Sequence, residues 1–354
     1  MSRALRGIGA TVLASALVMT TAPAPASAQE WAGPWASARP DSRAPIGVMG
    51  DRVGSKGMAM ISYRFIRTMM DGNRSGTDRV SPSDLLQNFI VAPLNMPMSM
   101  HMVGLMYAPS DQVTLTAMLP WVSLSTDHMT RAGEEFRTES SGIGDVRVGG
   151  LIALKGEGKY RSHVNAVVSI PTGVIEQMDV TPTSAPNESQ LPYPMQIGSG
   201  TVDLNPGITF LSMGRVGSWG AQANATLRLG ENDRNYTLGN AFSGTAWLAL
   251  KLTDRISTSF RLEGRTWGDI QGADPVYMNL MMVPTVNPNL RGGTRFDLPI
   301  GLNYYIPSGF LAGHRIAVEY TLPVWQDLNG PQLETDAVVT IGWQKSFAPF
   351  GHGP

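Results

Sequence analysis

The chain has 354 residues, of which 42% are apolar and 16% are charged, and its formal net charge is −1. A charge this close to zero gives no strong attraction for nucleic acid, and the lack of cysteine excludes a disulfide framework or a thiolate site. The 39 glycines, the 25 prolines and the scarcity of helical periodicity favour an all-β protein with many short strands.

The N-terminus has the pattern of a secretory signal peptide. Arg3 and Arg6 precede an apolar run, and a small-x-small cleavage site follows at 26–28. Removal of these two positive charges lowers the formal net charge from −1 to −3. We predict a signal peptide over 1–28 and a periplasmic lead-in, with proline and glycine, over 29–56.

The rest of the chain alternates apolar and polar residues with a period of two, which is the period of a β-strand. In the first such segment Ala59, Ile61 and Tyr63 share one face, while Ser62 and Arg64 lie on the other. The same alternation predicts about twelve strands, near 57–67, 96–107, 112–122, 143–154, 160–171, 198–212, 217–229, 240–252, 256–267, 294–306, 315–325 and 336–347.

The links between these strands alternate between short turns and long loops. Together with strands of about ten residues, an even strand count and aromatic residues near strand ends, this pattern describes a transmembrane antiparallel up-and-down β-barrel with long extracellular loops and short periplasmic turns. We predict an outer-membrane β-barrel over 57–347, in contact with the lipid of a Gram-negative cell, and a C-terminal tail over 348–354. The alternative is a soluble, secreted β-sandwich, whose strands also alternate.

Five segments point to a known family. They read APIGVMGD at 44–51, MSMHMVGLMYAPSD at 98–111, GIGDVRVGG at 142–150, YPMQIGSGTVDLNPGITF at 193–210 and GHRIAVEYTLPVWQDLNGPQL at 313–333. In residues and in order they resemble the outer-membrane transporter family labelled "MetA-pathway of phenol degradation". The resemblance implies an outer-membrane channel associated with the breakdown of aromatic compounds, and it implies no particular ligand residues.

If the apolar faces meet lipid, the opposite faces line the lumen. Interspersed charges of both signs suit a channel for small molecules, including aromatic or other organic solutes. The alternative is a non-conducting structural barrel whose charged side chains pair and fill the interior. The residues predicted to line the lumen for binding or permeation are Arg64, Asp145, Arg147, His163, Asp203, Arg228, Arg261, Glu263, Arg265, Arg295, Asp297 and Glu319.

Two of these arginines have two interpretations. Arg261 and Arg265 flank Glu263 on one strand face. Forked arginine donors in a ladder would attract carboxylates or phenolates. The interpretation we favour is an internal salt-bridge ladder with Asp297 on the neighbouring strand.

Methionine is concentrated in one part of the chain, because twelve of the eighteen that follow the signal peptide lie within 49–129. Thioethers select Cu(I), so a Met-rich copper-binding protein is an alternative function, although methionine is also an adaptable packing residue. Met96, Met98, Met100 and Met102 occupy alternate positions and form a methionine ladder. A two- or four-residue turn after this strand would direct the ladder towards lipid and His101 inward, as polarity favours. A turn of odd length would reverse both directions. The Cu(I) candidates are Met96, Met98, Met100, Met102 and His101.

An outer-membrane hydrolase is the weakest alternative. His163 and Ser169 share a strand face at a separation of about 20 Å, which forbids direct contact. The sequence has no zinc-ligand spacing, phosphate-binding glycine loop or nucleophile elbow, so we predict no catalytic residue and no cofactor. The apolar loop at 274–290 is predicted either to fold inward as a lid or to pack externally.

Overall fold

A computed structural model describes residues 39–154, 156 and 158–349, so the predicted signal peptide over 1–28 lies outside the described residues. Among the described residues, no helix is long and apolar enough to cross a bilayer. The described ranges contain one short α-helix, α1, at Pro82–Asn88, and three 3₁₀ turns at Tyr193–Met195, Pro284–Val286 and Pro288–Leu290. The strands are β1 Ala59–Gly76, β2 Asp78–Val80, β3 Val91–Asn95, β4 Met98–Tyr107, β5 Val113–Thr130, β6 Glu135–Ile143, β7 Val146–Ala153, β8 Tyr160–Ile170, β9 Met178–Val180, β10 Glu188–Gln190, β11 Val202–Met213, β12 Gly217–Leu229, β13 Tyr236–Thr237, β14 Ala241–Lys251, β15 Ile256–Trp267, β16 Gln271–Gly272, β17 Gly293–Tyr305 and β18 His314–Phe347.

The strands close into a single antiparallel ring. β4 pairs with β1 on one side and with β5 on the other, and β18 pairs with both β17 and β1. Closure removes the unpaired sheet edges, so every strand in the wall has hydrogen-bonded neighbours. Around the ring the order is β18, β17, β15, β14, β12, β11, β8, β7, β5, β4 and β1.

The last strand crosses the wall twice. β17 pairs with its residues 315–328, and β1 pairs with 328–347. The Gln326 side chain donates to the Thr335 carbonyl at 2.9 Å, although nine residues of extended chain would separate them by about 30 Å. The chain therefore reverses between them, so eleven strand segments make twelve passes. The predicted up-and-down barrel of about twelve strands is confirmed.

The wall shows a clear division between its two faces. Its outward face carries exposed apolar side chains on successive strands, for example Leu105, Phe260 and Leu298, while polar residues alternate with them and point inward. The period-two alternation of the sequence produces this division directly. A closed barrel with an apolar outer face belongs in the outer membrane of a Gram-negative bacterium, in contact with its lipid.

The two ends of the barrel differ in the length of their connections. Short links at 108–112, 214–216 and 252–255 join strands at one end. Long connections that include α1, β3 and the 3₁₀ turns join them at the other. We refer to the end with short links as the periplasmic end and to the opposite end as the extracellular mouth, because this asymmetry is typical of outer-membrane barrels.

Candidate functional site

The residues predicted to line the lumen all lie on the inward side of the wall or, for Asp145, just before β7. Most of them form compact ion pairs. Arg228 pairs with Asp203 on the neighbouring strand, and Arg261 pairs with both Glu263 and Glu319. Arg295 donates to Asp297 at 3.0 Å.

The predicted salt-bridge ladder therefore forms with different partners. Asp297 is taken by Arg295, and Arg261 bonds instead to Glu319 at 2.8 Å and to Glu263. Arg265 is left out of the ladder. Which arginine reaches which carboxylate is decided by the register of β15, β17 and β18, and single-strand alternation does not reveal that register.

The remaining predicted residues have partners of another kind. Asp145 accepts hydrogen bonds from Ser199 and from the backbone N–H of Gly173, so it fastens a long extracellular connection to the wall. Arg147 and Arg265 point into open space inside the barrel, and neither forms an ion pair within the described residues. Arg64 and His163 contact the segment described next.

The described part of the lead-in, residues 39–56, lies inside the barrel rather than below it. Ala44, Ile46 and Val48 are at most 5% exposed. At Gly47 the backbone comes so close to the wall that an added Cβ would lie 2.2 Å from Oε1 of Glu319. The segment enters near the β11–β12 turn, where Arg39 donates to the Gly214 carbonyl at 2.7 Å. The expected periplasmic placement of this stretch is therefore wrong.

Wall side chains satisfy the backbone of this irregular segment. Its carbonyls accept hydrogen bonds from Ser218 at 2.7 Å, Gln222 at 2.9 Å, Arg64 at 3.1 Å, Arg315 at 3.1 Å and His163 at 2.8 Å. These donors come from four different strands around the ring. A buried backbone without its own secondary structure needs such partners, because an unpaired buried carbonyl is costly. The inward polar residues therefore hold an internal segment as well as pairing with one another.

Among the described residues, three cavities lie within the lumen. The mouth cavity, of about 270 Å³, lies at the extracellular end and includes Arg265, Arg291 and Met195. The middle cavity, of about 280 Å³, lies between Arg265 and the lead-in. The basal cavity, of about 410 Å³, includes His163 and lies at the periplasmic end. Arg265 lines both of the upper two cavities, whereas the hydrogen bond between His163 and the Gly50 carbonyl separates the lower two.

The methionine ladder faces the lumen, so the orientation that polarity favoured is wrong. Tyr107 pairs with Leu115, which leaves seven residues, 108–114, between them, and this odd number reverses the faces. His101 is exposed on the outer face and shares a hydrogen bond of 2.7 Å with the Tyr63 hydroxyl. The Met96, Met98 and Met100 side chains instead pack in an apolar cluster with Val122, Leu124, Leu191 and Met195.

Met102 is separate from this cluster. It pairs across strands with Arg64, and its side chain is 4% exposed. The ladder is therefore divided between two environments. No group of three or more His, Asp or Glu residues able to hold a metal ion occurs in the described part of the chain.

The apolar loop at 274–290 is divided between its two predicted alternatives, since Val276, Met278 and Met281 are exposed whereas 283–286 are buried at the mouth. Val283 and Val286 are buried against Val91, and the N–H of Val91 donates to the Met282 carbonyl at 2.8 Å. The following Arg291 lines the mouth cavity, and burial lowers its pKa to about 10, so it is still a cation at neutral pH.

Aromatic residues hold the neighbouring loops together. The Tyr193 ring meets those of Tyr236 and Tyr277 edge-on, with centroid distances of 4.9 Å in both cases. Burial raises the pKa of Tyr236 to about 12 and also raises that of Tyr277. Asp274 accepts two hydrogen bonds from Arg234, each 3.0 Å long. These loops form a packed cover over the mouth.

Sequence reasoning missed several lumen residues. Arg315 had a usable signal, because it occupies the same alternate position as Glu319 on its strand. Arg291 lies in a loop without periodicity, and His128 lies on an extension of β5 beyond the predicted strand end. Only the tertiary structure shows that Arg291 and His128 line a cavity.

Comparisons with known proteins identify the fold. No family model and no curated protein matches the chain. Among solved structures, an outer membrane channel from Pseudomonas putida F1 is similar with a TM-score of 0.58 and 12% identity, covering 85% of this chain and 99% of that one. The toluene transporter TodX of P. putida gives a TM-score of 0.42 with 9% identity, covering 83% and 91%, and a Pseudomonas aeruginosa FadL homologue gives 0.41 with 10% identity, covering 81% and 89%. The first of these similarities shows a shared barrel fold.

Proposed function

We propose that this protein is an outer-membrane channel that lets small organic solutes, including aromatic compounds, pass through its barrel. The observation that carries the proposal is the presence, among the described residues, of three cavities in the lumen, with volumes of about 270, 280 and 410 Å³. A purely structural barrel of this size has no need for three enlarged spaces aligned between its two ends. An outer membrane channel with the same fold is in keeping with this function.

The lead-in forms the constriction of the proposed channel. It has no regular secondary structure over 39–56, and only side-chain hydrogen bonds and a few buried apolar residues hold it in the lumen. Such a segment can shift without breaking the sheet, because none of its bonds belongs to the strand pairing. Passage then requires local displacement near the contact between His163 and Gly50, which separates the middle and basal cavities.

The nature of the lumen favours organic solutes. One side of the upper lumen is apolar through Met96, Met195 and their neighbours, whereas the other carries Arg265 and Arg295. A solute with an apolar body and a polar group finds matching surfaces on both sides. The sequence resemblance to the family labelled with phenol degradation supports aromatic compounds as members of this class.

Purified protein in planar lipid bilayers tests the proposal. We expect discrete conductance steps, and liposomes that contain the protein should swell in isosmotic solutions of small organic solutes. A small eight-stranded barrel whose interior is filled by side chains is the matched control. If traces stay flat and liposomes stay intact while a conducting porin responds in parallel, the protein is the non-conducting structural barrel.

A further inference from the structure

The mouth cavity has a strongly one-sided set of charges. Of the residues that the structure describes, three arginines line it and no aspartate or glutamate does. Arg295 is neutralised by Asp297 and donates to Thr335 at 2.7 Å. The Arg265 side chain has no hydrogen bond or ion pair within the described residues, and its guanidinium lies 5.8 Å from the centre of the Trp267 ring.

Three buried polar atoms of residues that line this cavity have no hydrogen-bond partner among the described residues. Arg291 donates to Gln332 at 3.1 Å through Nη2, while its buried Nη1 has no partner within the described ranges. The Oγ1 of Thr285, a residue that is 7% exposed, is unpartnered. Nδ1 of His128 is also unpartnered among the described residues, whereas Nε2 of the same ring lies 3.1 Å from Oγ1 of Thr138. Buried polar atoms are ordinarily hydrogen-bonded, and these three unpartnered atoms belong to residues that line one cavity.

Part of the cavity wall is apolar. Met96 and Met195 are 8% and 2% exposed, and they pack within the apolar cluster of the upper lumen. The Trp267 indole is fixed by a hydrogen bond of 2.8 Å from Nε1 to the Arg291 carbonyl. Thioether and indole surfaces make favourable contacts with aromatic rings. This wall therefore fits a flat apolar group placed beside the arginines.

We propose that the mouth cavity is a binding site for a small organic anion, whose carboxylate or phenolate is held by Arg265 and Arg291 and whose apolar body lies against Met96, Met195 and Trp267. Forked guanidinium donors match a carboxylate in geometry and in charge. A dry cavity of about 150 Å³ accommodates benzene, so a space of about 270 Å³ has room for one ring with an acidic group. The inference deepens the proposed channel function, on which it rests for its role in passage, while the binding chemistry can be tested by itself.

Calorimetric titration of the purified full-length protein, in an uncharged detergent, tests the site with benzoate as the probe. Benzamide has the same shape without the charge, acetate has the charge without the ring, and inorganic phosphate is an anion without an apolar body. We expect benzoate to bind at least about tenfold more tightly than each of the other three, since one lost charged contact corresponds to about 1.4 kcal/mol or more.

Two single variants locate the site. Arg265→Gln and Arg291→Gln should each weaken benzoate binding about tenfold or more, because each removes one charged donor. Arg137→Gln is the matched control, since Arg137 pairs with Asp127 on the outer side of the β5–β6 hairpin and does not line the cavity. Arg265→Lys keeps the charge and should restore part of the affinity. Heat-dependent mobility on gels shows whether each barrel is folded.

The outcomes separate this inference from the channel function. Equal affinity for benzoate and benzamide, or an unchanged affinity in both folded glutamine variants, overturns the anion site. Phosphate binding as tight as benzoate binding overturns the organic part of the proposal. Selective benzoate binding by a protein that shows no conductance supports the site and refutes the channel, whereas conductance without selective binding refutes the site alone.

Discussion

The hydrogen bonds that hold the lead-in in the lumen can be removed without touching the strand pairing. His163 and Gln222 donate to the carbonyls of Gly50 and Met49 at 2.8 and 2.9 Å. A double variant, His163→Leu with Gln222→Leu, leaves both carbonyls without these donors. We expect the segment to leave its position in the lumen more often, and the contact between the middle and basal cavities to open.

The size of the effect follows from the number of bonds lost. Leaving one buried polar group unsatisfied costs about 1–3 kcal/mol, so two cost about 2–6 kcal/mol if they act independently. The equilibrium between inserted and displaced lead-in then shifts by roughly 30-fold to 10⁴-fold towards displacement, at about 1.4 kcal/mol per factor of ten. Gln222 also donates to Thr209 at 2.9 Å, so part of the loss falls on the wall itself.

Single-channel recording in planar bilayers measures this shift as a higher open probability or a larger conductance step. The matched control is His101→Leu with Gln87→Leu, which makes the same two changes on the outer face and on α1, where the side chains bond to Tyr63 and Asp84 rather than to the lead-in. If the folded double variant conducts and swells liposomes no more than wild type and control, the lead-in is not the constriction.

Three further predictions concern other parts of the molecule. Gly47→Ala should lower the free energy of unfolding by about 1–3 kcal/mol, because its Cβ would lie 2.2 Å from Oε1 of Glu319 and 2.6 Å from Nη2 of Arg261; Gly244→Ala, with open space around the added carbon, is the control for urea denaturation. Alkaline titration of wild type and of a Tyr236→Phe variant, followed by the ultraviolet absorbance of tyrosinate, should differ by one component. We expect that component to have a pKa of about 12 rather than 10. Since burial raises this pKa, its contribution to loop stability is complete below pH 10 and is lost as the pH rises through about 12; a lost component with a pKa near 10 would contradict the burial. A triple variant with leucine in place of Met96, Met98 and Met100 should retain as much Cu(I) after dialysis as wild type, because the sulfurs of the methionine ladder pack as apolar groups.

Period-two alternation was sufficient to predict the barrel. It located all twelve passes, because a strand with lipid on one side and polar lumen on the other must alternate at every position. The predicted ends of the first and third strands were too early, however, since β1 continues to Gly76 and β5 to Thr130. Beyond the membrane the outer side chains need not be apolar, so the alternation ends before the strand pairing does.

The sequence by itself determined the wall: its strands, its inward charged residues and its location in the outer membrane. Tertiary structure alone decided what fills the lumen, because the donors to the lead-in carbonyls lie up to about 270 residues away and no local pattern links them. It also decided the direction of the methionine ladder, since one residue in the turn at 108–114 exchanges the two faces. The register of neighbouring strands left Arg265 without an ion pair in the described part of the chain, and loop packing placed Arg291 at the same cavity. Local alternation fixes which way a side chain points, whereas the neighbours it meets there depend on how distant strands and loops come together.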